Sequence, residues 1–324
     1  MFALILLSCA EVPETYRKME GMAFGTTFHL TYLDPHALVS ERQVDSLIHA
    51  VNRSLSTYLP NSDISRINRG DTSVVVDALF EEVFRKSEQI YSETGGAFDP
   101  TIGILVNAWG FGPGDGLDGL TGKQVDSLMD FVGFDQLRLE KGKLLKQHPE
   151  TFLDFNANAK GYGADVIGRF FESRGVFDYL VEIGGEIRAR GRNAEGETWK
   201  IAIEKPNFDG TRSFQTVIAL DNESIATSGN YRKFKVDPAT GKKFAHTIDT
   251  GNGYPSQSDL LSASVIAGLD CADVDGYATA LMAMGLERSK QFLETRSHLK
   301  AFLIFSDEKG DLQTYQTPNL VTLP

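Results

Sequence analysis

The chain has 324 residues, 41% hydrophobic and 23% charged, enough to bury a sizeable core in one large domain or two ordinary ones. Its 44 acidic and 32 basic residues leave a net charge of −12, with no Lys/Arg cluster, which excludes the basic stripe that nucleic-acid binding needs. Two cysteines, Cys9 and Cys271, are too few for a disulfide framework, and no Cys/His spacing suggests zinc.

The first ten residues are apolar and end in Leu6-Leu7-Ser8-Cys9-Ala10, which resembles a bacterial lipobox. The run is short and lacks a basic n-region, so it fits a complete secretory signal poorly. We expect residues 1–20 to be a leader and tether with a lipid on Cys9, and residues 21–324 to form a single domain. No later segment approaches the roughly 20 apolar residues that span a bilayer.

Gly21–Leu33 reads as a strand rich in β-branched and aromatic residues. Ser40 with Gln43 makes a capping-box pattern, and Val44, Leu47, Ile48, Val51 and Leu55 follow at helical spacing. A second helix starts near Asp77, passes through Phe80, Val83, Phe84 and Ile90, and stops at Gly95-Gly96. Residues 107–120 are a glycine-rich loop, and Thr121 with Gln124 opens a short helix over Val125, Leu128 and Met129. A hairpin over 136–140 and 143–147 turns at Lys141-Gly142. Strands then dominate, at 151–155, 178–183, 186–191, 198–204, 214–220 and 260–267, with helices near 160–173, 271–284 and 286–296 and a closing strand at 299–306. Strands and helices without regular βαβ alternation predict an α+β fold.

Five stretches put polar groups or glycines where a core would not. Asp154-Phe-Asn-Ala-Asn-Ala-Lys160-Gly161 runs from a strand into a helix start, whose free N–H groups and dipole suit a phosphate, with Lys160 adding a full charge. An ordinary capped helix with a solvated lysine fits the same spacing. Glu182-Ile-Gly184-Gly185-Glu186 would let a backbone approach a ligand closely, or make a plain tight turn. Thr227 and Ser228, within Ile225–Arg232, could donate to phosphate or carbonyl oxygens, or form an ST-turn between strands. His246, in Phe244–Asp249, is a candidate base or a structural histidine. Asp275 and Thr279 stand four apart and share a helix face; a carboxylate with a hydroxyl, completed by carbonyls and phosphate, suits Mg²⁺. Asp273 lies off that face and reads as a cap or a charge at the helix N-terminus.

Taken in order, the stretches GMAFGTTF, LSTYLPNSDISRIN, GGAFDPTIG, DFNANAKGYGAD, EIGGEI, IATSGNYR, AHTID and DGYATALMAMG resemble the ApbE family of FAD:protein FMN transferases, from about Gly21 to Gly285. That resemblance implies a T-fold-related α+β architecture, mixed sheets with packed helices, and FAD bound in a cleft between two lobes. It implies Mg²⁺ on the Ala157 carbonyl, Asp275 and Thr279, and flavin-nucleotide contacts at Phe24, Tyr58, Ala97, Phe98, Asp99, Asp154, Lys160, His246 and Ile248. Gly184, Gly185, Thr227 and Ser228 join the binding set through the readings given above, and Asp99 has a structural alternative as cap of the Pro100 turn.

In the implied reaction the acceptor threonine attacks the FMN phosphorus, AMP leaves, His246 serves as base, and Lys160 neutralises phosphate charge or holds its loop. The acceptor is expected to be a redox subunit exposed outside the cytoplasm, which suits an enzyme tethered on the periplasmic side. This chain has Phe24 where the family usually has methionine, and its His246-Thr-Ile-Asp249-Thr250 lacks the proline that usually follows the aspartate. The alternatives are an FAD pyrophosphatase with water as acceptor, a flavin-binding protein without turnover, and a structural lipoprotein.

Overall fold

The computed structural model describes residues 16–113, 116–117, 120–207, 211, 213–230, 234–236, 243–256 and 258–323. Cys9, Tyr231 and Arg232 lie outside them. The first elements are β1 (Tyr16–Ala23), β2 (Thr26–Leu33), α1 (Glu41–Leu55), α2 (Asp63–Asn68), α3 (Ala78–Glu93), α4 (Gly103–Ala108) and α5 (Gly122–Met129). Then come β3 (Leu137–Glu140), β4 (Lys143–Lys146), α6 (Ala159–Ser173), β5 (Tyr179–Ile183), β6 (Glu186–Arg190), β7 (Trp199–Glu204), β8 (Phe214–Leu220) and β9 (Ser224–Gly229). The last are β10 (Phe234–Val236), β11 (Lys243–Ala245), β12 (Leu260–Ala267), α7 (Cys271–Met284), α8 (Leu286–Glu294), β13 (Lys300–Ser306), β14 (Leu312–Gln316) and β15 (Thr322–Leu323).

Eight strands form the main sheet in the order β1-β2-β5-β6-β9-β12-β13-β14, and every neighbouring pair is antiparallel. Side chains alternate across it with period two. Ala263, Val265, Ala301 and Leu303 face α1, α6 and α7, whereas Ile266, Phe302 and Ile304 pack against the small sheet β15-β8-β7. Burying one such aliphatic side chain contributes about 1.5–3 kcal/mol. A second core joins α1, α2 and α3 to the β3–β4 hairpin through Val51, Phe80, Phe84, Phe134 and Phe155, so the helical lobe stands beside the sheet lobe.

Local chemistry accounts for most boundaries. Gln43 Oε1 accepts the Ser40 N–H at 3.0 Å and Thr121 Oγ1 accepts the Gln124 N–H at 3.4 Å, so the two expected caps form, and Asp77, at the expected helix start, also caps, its Oδ1 accepting the Phe80 N–H at 2.9 Å. Lys141 and Gly142 have φ of 50° and 73°, as a two-residue hairpin turn requires.

Several expectations change. Gly21–Leu33 is not one strand, because Phe24 (φ 51°) and Gly25 (φ 77°) turn the chain between β1 and β2. β1 begins at Tyr16, within the segment assigned to the leader. Residues 151–155 contribute only an isolated bridge, Phe152 to Ile102, and the Asp154 N–H bonds the Pro100 carbonyl. Ile225–Gly229 lies in a central strand rather than a turn. The strand at 299–306 is followed by β14 and β15. The hydrogen-bonded sheets are antiparallel rather than mixed.

Candidate active site

α6 and α7 bring the expected metal ligands together. The Thr279 hydroxyl lies 3.4 Å from the Ala157 carbonyl oxygen, and Asp275 Oδ2 accepts the Gly161 N–H at 3.2 Å. The first turn of α6 is therefore capped by a carboxylate from α7. Gly161 is required there: a Cβ would sit 2.4 Å from the Cys271 carbonyl oxygen. From β9, Ser228 Oγ reaches to 3.2 Å from Thr279 Oγ1.

Lys160 Nζ lies 2.5 Å from Glu186 Oε1 and 4.0 Å from Asp275 Oδ2. Burial works against the ammonium charge, but the Asp275 and Glu186 carboxylates outweigh it and hold Lys160 above its ordinary value. Burial pushes the Asp275 carboxyl up, opposed by Lys160. Glu186, 3% exposed, is raised by burial and by Asp275 against the pull of Lys160. Two carboxylates thus share one ammonium.

The residues fit a hard cation. Asp275, the Thr279 hydroxyl and the Ala157 carbonyl are oxygen donors, Lys160 is set against two carboxyl groups, and among the described residues Glu186 Oε2 and Asn158 Oδ1 are buried without a hydrogen-bond partner. Among the described residues no three His, Cys, Asp or Glu side chains converge as a metal cluster, so the donor set relies on neutral oxygens.

A cleft of about 250 Å³ opens nearby, lined among others by Gly96, Ala97, Asp99, Thr250, Gly251 and Arg288. It joins the glycine turn after α3 to the loop after His246. Phe98, between the cleft-lining Ala97 and Asp99 in sequence, has its buried ring 3.5 Å from where a Cβ on Gly276 would be, so this segment packs on α7 next to Asp275. Asp99 accepts from the Thr101 N–H at 2.8 Å and the Thr101 hydroxyl at 2.6 Å, the capping role its alternative described. Burial nevertheless pushes its carboxyl up to about 6.

Tyr58, 59% exposed, stands by Asp154: burial, then the Asp154 charge, raises its phenol. Burial raises Asp154 itself, opposed by Asn156, whose N–H donates to Asp154 Oδ1 at 2.8 Å. His246 precedes Thr247, whose hydroxyl donates to Asn230 Oδ1 at 2.8 Å; Asn230 follows β9 two residues after Ser228. The segment that carries His246 is therefore tied, through Thr247, to the end of β9 that carries Ser228. In place of the usual proline, Asp249 organises its loop by accepting the Gly251 N–H at 2.9 Å and the Asn252 amide at 2.7 Å.

Other expected residues make packing, pairing or turn contacts. Thr227 faces away from α7 and pairs with Ser264 Oγ at 2.7 Å, because strand alternation sends it and Ser228 to opposite faces. Ile248 packs with Leu105 and Val125, and its backbone bridges to Pro255. Gly184 and Gly185, at φ 64° and 106°, make the tight turn between β5 and β6. Phe24 packs on α6 at Gly163, where a Cβ would lie 2.2 Å from its ring. Asp273 lies in the first turn of α7 and charges that helix end rather than capping it, and it accepts from Lys86 Nζ at 2.9 Å. Sequence reasoning missed Glu186 as the partner of Lys160, Arg288 at the cleft, and Asp165, whose carboxylate accepts the Cys271 and Ala272 N–H groups at 2.8 and 2.9 Å. The glycine pair beside Glu186 drew notice, but nothing local tied that acid to Lys160.

The sequence model of the ApbE family matches residues 24–303. The FAD:protein FMN transferases of Haemophilus influenzae and Vibrio cholerae are each 35% identical to this chain, over 95% and 94% of it and 91% and 92% of their own lengths. The solved flavin transferase ApbE from Vibrio cholerae superposes with a TM-score of 0.83 at 33% identity, covering 94% of this chain and 98% of its own. The apo form of the Pseudomonas stutzeri flavinyl transferase ApbE gives 0.83 at 29% identity, covering 94% and 95%. The α+β architecture matches theirs.

Proposed function

The chain belongs to the ApbE family and is an FAD:protein FMN transferase, and we propose that it moves FMN to a threonine hydroxyl with Mg²⁺ bound and AMP as leaving group. The observation that carries the finer reading is the gathering of the Ala157 carbonyl, Asp275 and Thr279 at the start of α6, beside a second buried carboxyl group, Glu186. These three residues would hold the ion. When bound, Mg²⁺ supplies charge neutralisation for the pyrophosphate and for departing AMP.

The chain's own groups do the rest. The threonine oxygen bonds to the FMN phosphorus as the bond from that phosphorus to the AMP oxygen breaks. The hydroxyl proton passes to His246 and from there to solvent. Lys160 stays charged and balances one of its two carboxylates, which keeps Asp275 in place. Tyr58 offers an exposed ring on which a flavin or adenine can stack. The acceptor is a redox subunit on the outer side of the membrane, and a lipid on Cys9 would hold the enzyme there.

The test is to incubate the protein with FAD, Mg²⁺ and a threonine-bearing acceptor domain, and to read flavin fluorescence in a denaturing gel. Fluorescence on the acceptor that disappears with EDTA is expected. Free FMN and AMP without a labelled acceptor would make the protein a pyrophosphatase, and intact FAD would make it a carrier. Fractionating cells that express Cys9→Ala tests the anchor: a variant that stays on the membrane removes that assignment.

A further inference from the structure

α6 and α7 are tied at two levels, one helical turn apart. At the first, the Gly161 N–H meets Asp275 Oδ2 at 3.2 Å. At the second, four residues along each helix, the Asp165 carboxylate accepts the Cys271 and Ala272 N–H groups at 2.8 and 2.9 Å. Four residues of helix rise about 6 Å, so the two levels are rungs of one ladder. β6 serves both from the same face, since Glu186 and Arg188 are two apart on a strand. Glu186 holds Lys160 at the first rung, and Arg188 Nη1 bridges Asp165 Oδ1 at 2.8 Å and Asp270 Oδ1 at 2.6 Å at the second.

The second rung is fully bonded. Asp165 is entirely buried and both its oxygens accept hydrogen bonds. Asp270, the residue before α7, is also held through Oδ2 by Lys86 at 2.9 Å and by Arg169 at 2.6 Å. Arg188 Nε bonds the Tyr179 hydroxyl at 3.0 Å, which fixes the guanidinium to the sheet. A shift of α7 at its first residue would carry Asp275 with it, because the intervening turn is rigid helix. Gly161 leaves no slack, since a Cβ there would lie 2.8 Å from the Ala272 nitrogen.

We propose that Arg188 is a positioning residue for the cation site: by clamping Asp165 and Asp270 it sets the seating of α7 on α6, and so the placement of Asp275 and Thr279 against the Ala157 carbonyl. The inference rests on the metal reading given above. It assigns a role in the reaction to a residue that touches neither FAD nor the ion.

The test is Mn²⁺ binding without FAD, read from the free-ion electron paramagnetic resonance signal, in the unmodified protein, Arg188→Met, Arg188→Lys, Arg169→Met and Asp275→Asn. Near-UV circular dichroism and gel filtration select folded samples. Loss of an outer-shell support weakens a metal site by roughly 10–100-fold, and that range is expected for Arg188→Met, with a smaller loss for Arg188→Lys. Arg169→Met, which removes one of several bonds to Asp270 and none to Asp165, should bind as the unmodified protein does. Should Arg188→Met fail to fold, Arg188→Lys alone carries the decision.

If the unmodified protein binds no Mn²⁺, the metal reading fails and takes this inference with it. If it binds, Asp275→Asn abolishes binding, and the folded Arg188 variants bind normally, the metal site stands and the positioning role is overturned. Equal weakening by Arg169→Met and Arg188→Met would also overturn it, since general loosening then explains both.

Discussion

The two polar clusters between α6 and α7 share the same helices and the same strand, yet they are finished differently. Around Arg188, both oxygens of Asp165 and of Asp270 are bonded. Around Lys160, two carboxyl groups share one ammonium, and among the described residues Glu186 Oε2 has no hydrogen-bond partner. A buried acceptor left unbonded costs about 1–3 kcal/mol, so a cluster built only for stability would resemble the first. The second is left short of partners, which is why the metal proposal rests on it.

The largest expected effect falls on the unfinished cluster. Asp275→Asn retains an oxygen to accept the Gly161 N–H but removes the charge, and Mg²⁺-dependent AMP release should fall by more than about 100-fold, beyond the cost of losing an outer-shell support. Normal turnover in this variant, in a steady-state assay, would remove Asp275 from the metal site.

Next in size is the finished cluster. Arg188→Met strands Asp165 and Asp270, and breaking a buried pair from one side costs about 3–5 kcal/mol. Urea unfolding should show that loss. A change below about 1 kcal/mol would mean that the cluster is screened like surface ion pairs.

The cleft provides a third, pH-dependent contrast. Asp99 titrates near 6 in the folded protein, against about 4 in an unfolded chain, so the native state holds the extra proton between those values. Stability is therefore expected to fall as pH rises from about 4 to 6, by at most about 3 kcal/mol at 1.36 kcal/mol per unit. Comparing denaturant midpoints across that window for the native protein and Asp99→Asn isolates the effect. Identical slopes would show that Asp99 is not the source.

The smallest effect separates tight from open packing. Gly161→Ala drives a methyl into the Cys271 carbonyl and should cost about 1–3 kcal/mol. Gly268→Ala meets nothing within 4 Å and should stay within about 0.5 kcal/mol. Equal melting temperatures for the two would refute close α6–α7 contact.

These contrasts also explain what the sequence disclosed. α1, α3 and α5 were legible because Ser40, Asp77 and Thr121 stand before apolar residues at helical spacing. Asp275 and Thr279 were legible for the same reason, being one turn apart. β9 was hidden because Ala226-Thr-Ser-Gly229 carries turn-forming residues, and its pairing with β6 and β12 overrides that preference. Residues 151–155 were expected to be a strand, but their partners are Ile102 and Pro100 outside any strand. Glu186, Arg188 and Asp165 were illegible as a set because their partners arrive from distant elements, and only the folded chain brings them together.

The most direct measurement is tandem mass spectrometry of an acceptor domain after incubation with FAD and Mg²⁺, with AMP counted in the same sample. The account predicts one threonine heavier by FMN less one water, AMP released in equal amount, and neither product with Asp275→Asn. AMP formed with no modified threonine, or a modified threonine made equally well by Asp275→Asn, would contradict it.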